Sequence, residues 1–247
     1  LGNCGEGTGP AGFDYNEASE AVTPHARAVD GINPRDVGFE DARRSGVTTV
    51  CVLPGSANVV CGTGVVIKTA GTVVDDMVVV RDCGMKIAFG ENPKMVHGDK
   101  RCPQTRMGAA ALLRETLVKT SEYVRKRKLP EGRRPDKDVR FEALALVLAG
   151  KTPLRAHAHR ADDIATAARI AAEFGCRLVA DHCTEGHFIA DFLSRRKIPC
   201  VVGPSLIGRF KLELRDRSYA TAGFLERAGC LVALTTDHPF MPIDALT

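Results

Sequence analysis

The chain has 247 residues, 44% apolar and 26% charged, which supports one packed α/β domain and excludes wholesale disorder. A net charge of +4 is small for this length, so neither nucleic acid nor a membrane surface is expected as a partner. Nine cysteines without a Cys-x-x-Cys pair argue against a zinc ribbon and suit a reducing, cytoplasmic setting; no apolar run is long enough to cross a bilayer, and no signal peptide is read.

Residues 1 to 36 are rich in Gly, Pro and Asn, and the opening Leu1-Gly-Asn-Cys-Gly-Glu-Gly-Thr-Gly-Pro-Ala-Gly predicts loop from the first residue. Val37 to Ser45 predicts a short helix stopped by Gly46, and Val47 to Leu53 a buried strand. Pro54 to Gly64 is Gly-rich and predicts a loop that covers substrate. Cys61-Gly-Thr-Gly-Val-Val within this region is no dinucleotide fingerprint, because no helix follows it. Met77 to Val80 and Met85 to Phe89 are two further strand candidates. Thr105 to Lys128 predicts the longest helix, with an approximate apolar stripe through Met107, Ala110, Ala111, Leu112, Leu117, Val118 and Tyr123. Its basic end, Arg125 to Lys128, is a cationic last turn favoured by the helix dipole. Asp138 to Leu148 predicts the next helix.

From there strand and helix alternate. Leu154 to His159, Arg177 to Asp181, Pro199 to Val202 and Leu231 to Thr236 predict strands; Asp162 to Phe174, Gly186 to Arg196 and Ala222 to Ala228 predict helices. That order means parallel βαβ units in a single domain.

Three of these strands end in possible metal ligands: His157-Ala-His159, Asp181-His182 and Asp237-His238. In a parallel α/β barrel all strand C-termini open on one face, so His157, His182 and Asp237 are expected to converge there, their functional atoms about 4 to 6 Å apart. Alternation puts Arg155, His157 and His159 on one side of their strand. Imidazole and carboxylate donors suit zinc, with iron or manganese as alternatives. Such a site turns water into a nucleophile near neutral pH. Cys183, next to His182, is the thiol nearest the expected site.

The residues also carry a resemblance. His157 after Leu-Arg-Ala, His182 after Val-Ala-Asp and Asp237 after Leu-Thr-Thr resemble strands five, six and eight of the amidohydrolase superfamily. Gly46-Val-Thr-Thr-Val-Cys-Val-Leu-Pro-Gly-Ser, Gly84-Met-Lys-Ile-Ala-Phe-Gly-Glu-Asn-Pro and His157-Ala-His-Arg-Ala-Asp-Asp-Ile resemble the imidazolonepropionase-related members. The resemblance implies a TIM-like (β/α)8 barrel of the metal-dependent hydrolase type that opens a C–N bond in a small amidic substrate. It implies His157 and His182 as ligands, His182 also in catalysis, and Asp237 as ligand and general base. Glu91 is a candidate further ligand, its other role being a loop carboxylate paired with Lys94 or Arg106. His159, Arg160 and His187 stand beside the ligands as candidates to face substrate. Residues 1–247 are expected to be a single barrel domain cut just after the His-x-His pair of the first strand, without the small β-domain, and inactive in isolation; a homo-oligomer is compatible with the sequence. The rival expectations are an inactive scaffold and a metal-dependent phosphoesterase on the same barrel.

Overall fold

The structure is a computed structural model that describes residues 1–4, 12–100 and 102–245. The expected loop at the start of the chain falls partly on residues 5–11, outside the described ones. Helix α1 (Val37–Arg44) begins where the Asp36 side chain accepts a hydrogen bond from the Gly38 N–H, satisfying an orphan donor of its first turn. Strands β1 (Thr49–Val52) and β2 (Val60–Lys68) follow, then one helical turn, α2 (Val74–Met77), and the long strand β3 (Val78–Ala88). Next come α3 (Glu91–His97), α4 (Arg106–Arg127) and α5 (Val139–Leu148). The remainder alternates: β4 (Leu154–Ala158), α6 (Ala161–Glu173), β5 (Leu178–His182), α7 (Ala190–Arg195), β6 (Cys200–Val202), α8 (Thr221–Arg227) and β7 (Val232–Leu234).

The described strands form a seven-stranded sheet in chain order. From β3 to β7 every pairing is parallel, and the sheet curls into an incomplete TIM-like barrel. Strand β2 runs antiparallel to both neighbours, so the sheet is not parallel throughout. β1 and β7 are its two edges.

Alternation explains the layers. Met85, Ile87, Leu154, Ala156, Ala158, Leu178, Ala180, Cys200 and Val202 point away from the concave face, against Leu113 and Leu117 of α4, Leu144 of α5, Ile164 and Ile170 of α6, and Leu225 of α8. A second apolar cluster, with Phe39, Val52, Val65, Ile67 and Met77, lies between α1 and the first strands. The concave face receives the other parity, including Lys86, Arg155, His157 and Asp181.

Two expectations are corrected. The segment read as a Gly-rich loop from Pro54 to Gly64 contains the start of β2, and the two short strands at Met77–Val80 and Met85–Phe89 are the two ends of β3. Glycine lowers strand propensity, which hid β2. Here the glycines serve close approach: Gly62 has φ +121°, and a Cβ there would press into the Ala26 carbonyl oxygen, whose chain runs alongside and accepts from the Thr63 N–H at 2.9 Å. In β3 the break is a bulge. Between its pairings Gly64↔Gly84 and Val66↔Val80, β3 carries extra residues, with Asp82 left-handed at φ 48°. In α4, Met107 and Val118 of the expected apolar stripe are exposed, while Leu113 and Leu117 carry the contact.

The glycine requirement is testable. Gly62→Ala places a side chain at a backbone-to-backbone contact and at a φ that L residues rarely adopt. It should destabilise the protein by about 1–3 kcal/mol in denaturant melts. Gly208→Ala, where a Cβ meets nothing within 4 Å, should leave the midpoint unchanged. Equal midpoints for the two variants would refute the packing role given to Gly62.

Candidate metal centre

Strand β4 delivers His157 from the concave face, and His159 follows one residue beyond the strand. Strand β5 ends on His182. Simple alternation would send His182 the wrong way, because Asp181 pairs with His157 and His182 with Ala158, whose side chain packs on the helices. The backbone resolves this by turning left-handed at His182 (φ 74°) and Cys183 (φ 47°). Left-handed non-glycine residues are costly and concentrate at functional sites. The result is a compact triangle of rings. Centroids of His157 and His182 are 4.3 Å apart, His157 and His159 4.8 Å, and His159 and His182 4.9 Å. One nitrogen from each lies within 4.8 Å of the others, and all three residues are buried.

Each ring is held from behind. His182 Nδ1 lies 2.8 Å from the Gly203 carbonyl oxygen and so donates to it, leaving Nε2 free. His159 Nδ1 is 2.7 Å from Thr184 Oγ1. His157 Nε2 is 3.4 Å from Asn92 Nδ2, which also donates to Ser56 Oγ at 2.7 Å. Outer partners of this kind fix ring orientation in metal sites. Burial drives the pKa of all three imidazoles down, and mutual repulsion adds to it at His157 and His159. The rings are therefore neutral near pH 7, each with one nitrogen lone pair; that of His157 faces the Asn92 amide. The donor set fits a divalent metal that takes nitrogen ligands.

Beneath the rings lies a buried ion cluster. Asp181 is gripped by Lys86 Nζ at 3.0 Å and by Arg155 at 2.7 and 3.0 Å. Burial alone would raise the Asp181 pKa; Lys86 and Arg155 outweigh it and hold the carboxyl at about 2.

Asp237, left-handed at φ 50°, follows β7, and its Oδ2 is 4.0 Å from His182 Nδ1. Its side chain is 39% exposed, so it forms the open rim of the site. Glu91 opens α3 and forms a reciprocal clasp: its carboxylate accepts from the Glu213 N–H at 3.0 Å, and Glu213 accepts from the Glu91 N–H at 2.9 Å. This clasp, and neither Lys94 nor Arg106, is the partner of the Glu91 carboxylate. Arg106 turns to Asp163 at 2.9 Å. Gly90 (φ +83°) makes room, since a Cβ there would collide with Glu213 Oε2. Arg160 pairs at 2.8 and 2.9 Å with Asp162 at the start of α6. His187 Nδ1 sits 3.0 Å from Thr221 Oγ1, beside Phe188 and Phe224. Cys183 is buried behind the sheet among the core residues.

Three residues that the sequence did not mark line the same space. Lys211 Nζ donates to Asn92 Oδ1 at 2.6 Å and lies 3.8 Å from Glu213 Oε1. Glu213 is fully buried, and its Oε1 also stands 3.8 Å from His159 Nε2 with no hydrogen-bond partner. Burial raises the Glu213 pKa. A charged pair inside Phe210-Lys-Leu-Glu-Leu214 was the available signal, a run otherwise apolar at alternate positions.

No family model matches the chain. It is 47% identical to an amidohydrolase of known structure from Thermotoga maritima MSB8, with a TM-score of 0.96 over 99% of this chain and 65% of that one. The chain belongs to the amidohydrolase family. It is also 31% identical over 212 residues to the amidohydrolase tasK of Hapsidospora irregularis, covering 74% of this chain and 21% of that protein. The chain thus spans less than two thirds of either relative. Within this amidohydrolase fold the three imidazoles lie at the C-terminal ends of β4 and β5, the face on which barrel enzymes place their sites.

The neutral imidazoles set a pH dependence. A histidine whose folded pKa is depressed binds its proton more readily when unfolded, so stability is intact above about pH 6.5 and falls below it. Metal-free protein should lose stability as pH drops through 6, at up to about 1.4 kcal/mol per pH unit for each histidine involved. Asp181 acts separately: its contribution is present above about pH 4 and is lost as pH falls toward 2. His159→Gln should flatten the slope between pH 6.5 and 5 in denaturant melts. An unchanged slope would mean that His159 is not held neutral.

Proposed function

We propose that the chain is a single metal-dependent hydrolase barrel domain, residues 1–247, of an amidohydrolase that opens a C–N bond in a cyclic amide or related small amidic substrate, in the imidazolonepropionase-related branch. The observation that carries this is the buried triangle of His157, His159 and His182, three neutral imidazoles within reach of one ion.

In this proposal His157 and His182 would hold the metal together with Asp237, and Glu91 would be a further ligand once its clasp with Glu213 opens. A divalent ion held there, zinc before iron or manganese, would supply Lewis acidity for the amide carbonyl and for water. The chain's own groups do the rest. Asp237, on the open rim, accepts a proton from the attacking water and returns it to the amine that leaves. His182 is fixed through the Gly203 carbonyl, so its ring keeps one orientation while the carbonyl carbon becomes tetrahedral. His159 faces substrate from inside, and Arg160 and His187 do so from the loops after β4 and β5. The buried surroundings of the rings exclude bulk water and strengthen each of these contacts.

The test uses the full-length protein, metal analysis and hydrolysis of cyclic amides. His157→Ala and His182→Ala should each strip the metal and abolish turnover. Asp237→Asn should cut kcat by about 10²-fold or more, the scale of general acid–base catalysis, while the substrate still binds. His159→Ala should retain metal and raise KM. Metal loss on His159→Ala with retention on His157→Ala would reverse the ligand assignment. Full-length protein without metal, and without hydrolysis that a chelator stops, would overturn the function.

A further inference from the structure

Cys51 and Cys83 meet on the concave side of the sheet with their sulfurs 3.5 Å apart. They do not belong to neighbouring strands. Cys51 is on β1 and Cys83 on β3, with β2 between them. Two features of the chain create the meeting. In regular alternation Cys83 would share the parity of Met85 and point into the core. The bulge at Asp82 turns it over to the side of Gly84 and Arg155. On β2, where Cys51 pairs with Val66, the neighbouring same-face residue is Gly64, where a Cβ would lie 3.2 Å from Cys83 Sγ and collide with Leu53. A bulge and a glycine thus clear a path for one sulfur to reach the other across a whole strand.

The spacing decides what such a pair can do. Two thiolates on one tetrahedral ion, with metal–sulfur bonds of about 2.3 Å, stand about 3.8 Å apart, close to the separation seen here. We propose that Cys51 and Cys83 form a dithiol site that chelates a single thiophilic centre, a soft metal ion or a trivalent arsenical.

The electrostatics agree with this geometry. The hydrogen bond between the two sulfurs outweighs burial, and the Arg155 guanidinium helps, so the Cys51 thiol is drawn down from its usual range. The same hydrogen bond and burial push Cys83 up, so its proton leaves when a bridging centre takes both sulfurs. Cys51 is exposed and Cys83 partly so, which gives a small reagent access. The other close thiols, Cys183, Cys200 and Cys230, are buried behind the sheet.

Phenylarsine oxide is the probe, because trivalent arsenic bonds paired thiols and leaves the imidazoles alone. Two S–As bonds form, the arsenic–oxygen bond breaks, and the oxygen departs with both thiol protons as water; nothing is oxidised or reduced. On full-length protein, intact mass should show one adduct that excess dithiothreitol removes and a monothiol at equal concentration does not. Peptide mapping should place it across Cys51 and Cys83. Cys51→Ser and Cys83→Ser should each lose it, and the triple Cys183→Ser, Cys200→Ser, Cys230→Ser variant should keep it. If that triple variant fails to fold, the map on the unaltered protein decides. An adduct that survives either single change, or maps to other cysteines, overturns the site. Neither readout depends on the metal centre or on hydrolysis.

Discussion

The arrangement turns on one buried carboxylate. Asp181 of β5 reaches along the concave face to Lys86 of β3 and Arg155 of β4, and all three side chains are largely out of water. Desolvating such charges is expensive, and an apolar trio of the same volume would often stabilise a protein as well or better. The cluster specifies alignment instead. Three adjacent parallel strands can satisfy these charges in one register only; a slip of one residue would bury at least one of them unpaired. That register places the next lumen-facing position of β4, His157, beside Asp181 and one residue from His182.

A second constraint is paid locally at the end of β5. Strand alternation and the need for two imidazoles in one place conflict at Asp181-His182, since adjacent residues point to opposite faces. The left-handed backbone at His182 and Cys183 removes the conflict and lets the carboxylate and the imidazole of neighbouring residues share the concave side. The Gly203 carbonyl then receives the His182 Nδ1 proton, so the next strand along supports the distorted end.

Much of this was legible in the sequence, and the rest was hidden for identifiable reasons. The runs before His157, His182 and Asp237 are short, apolar and bounded by helices, so strands with chemistry at their ends could be read directly. Strand β2 was masked because Gly62 and Gly64 look like loop, whereas they admit the backbone of Ala26 and the sulfur of Cys83. His159 lies in the ring triangle itself, which strand parity allowed but could not establish, because it sits beyond the last strand residue. Lys86, Arg155 and Asp181 were visible as charges inside apolar strands; only the register shows that they answer one another. Asn92, Lys211 and Glu213 come from loop and helix starts with no periodicity, where residue type alone does not tell a lining residue from a solvated one.

The clasp between Glu91 and Glu213 also frees a stretch of chain. The segment after β6 is fastened at Gly203, through the His182 ring, and again at Glu213, through two backbone amides. Between the fastenings Leu206, Gly208, Arg209 and Phe210 lie open to solvent. Residues may be gained, lost or exchanged in that stretch without disturbing the imidazoles, because neither anchor depends on its length. A change confined to that segment would alter the surface beside the imidazoles while leaving both anchors in place.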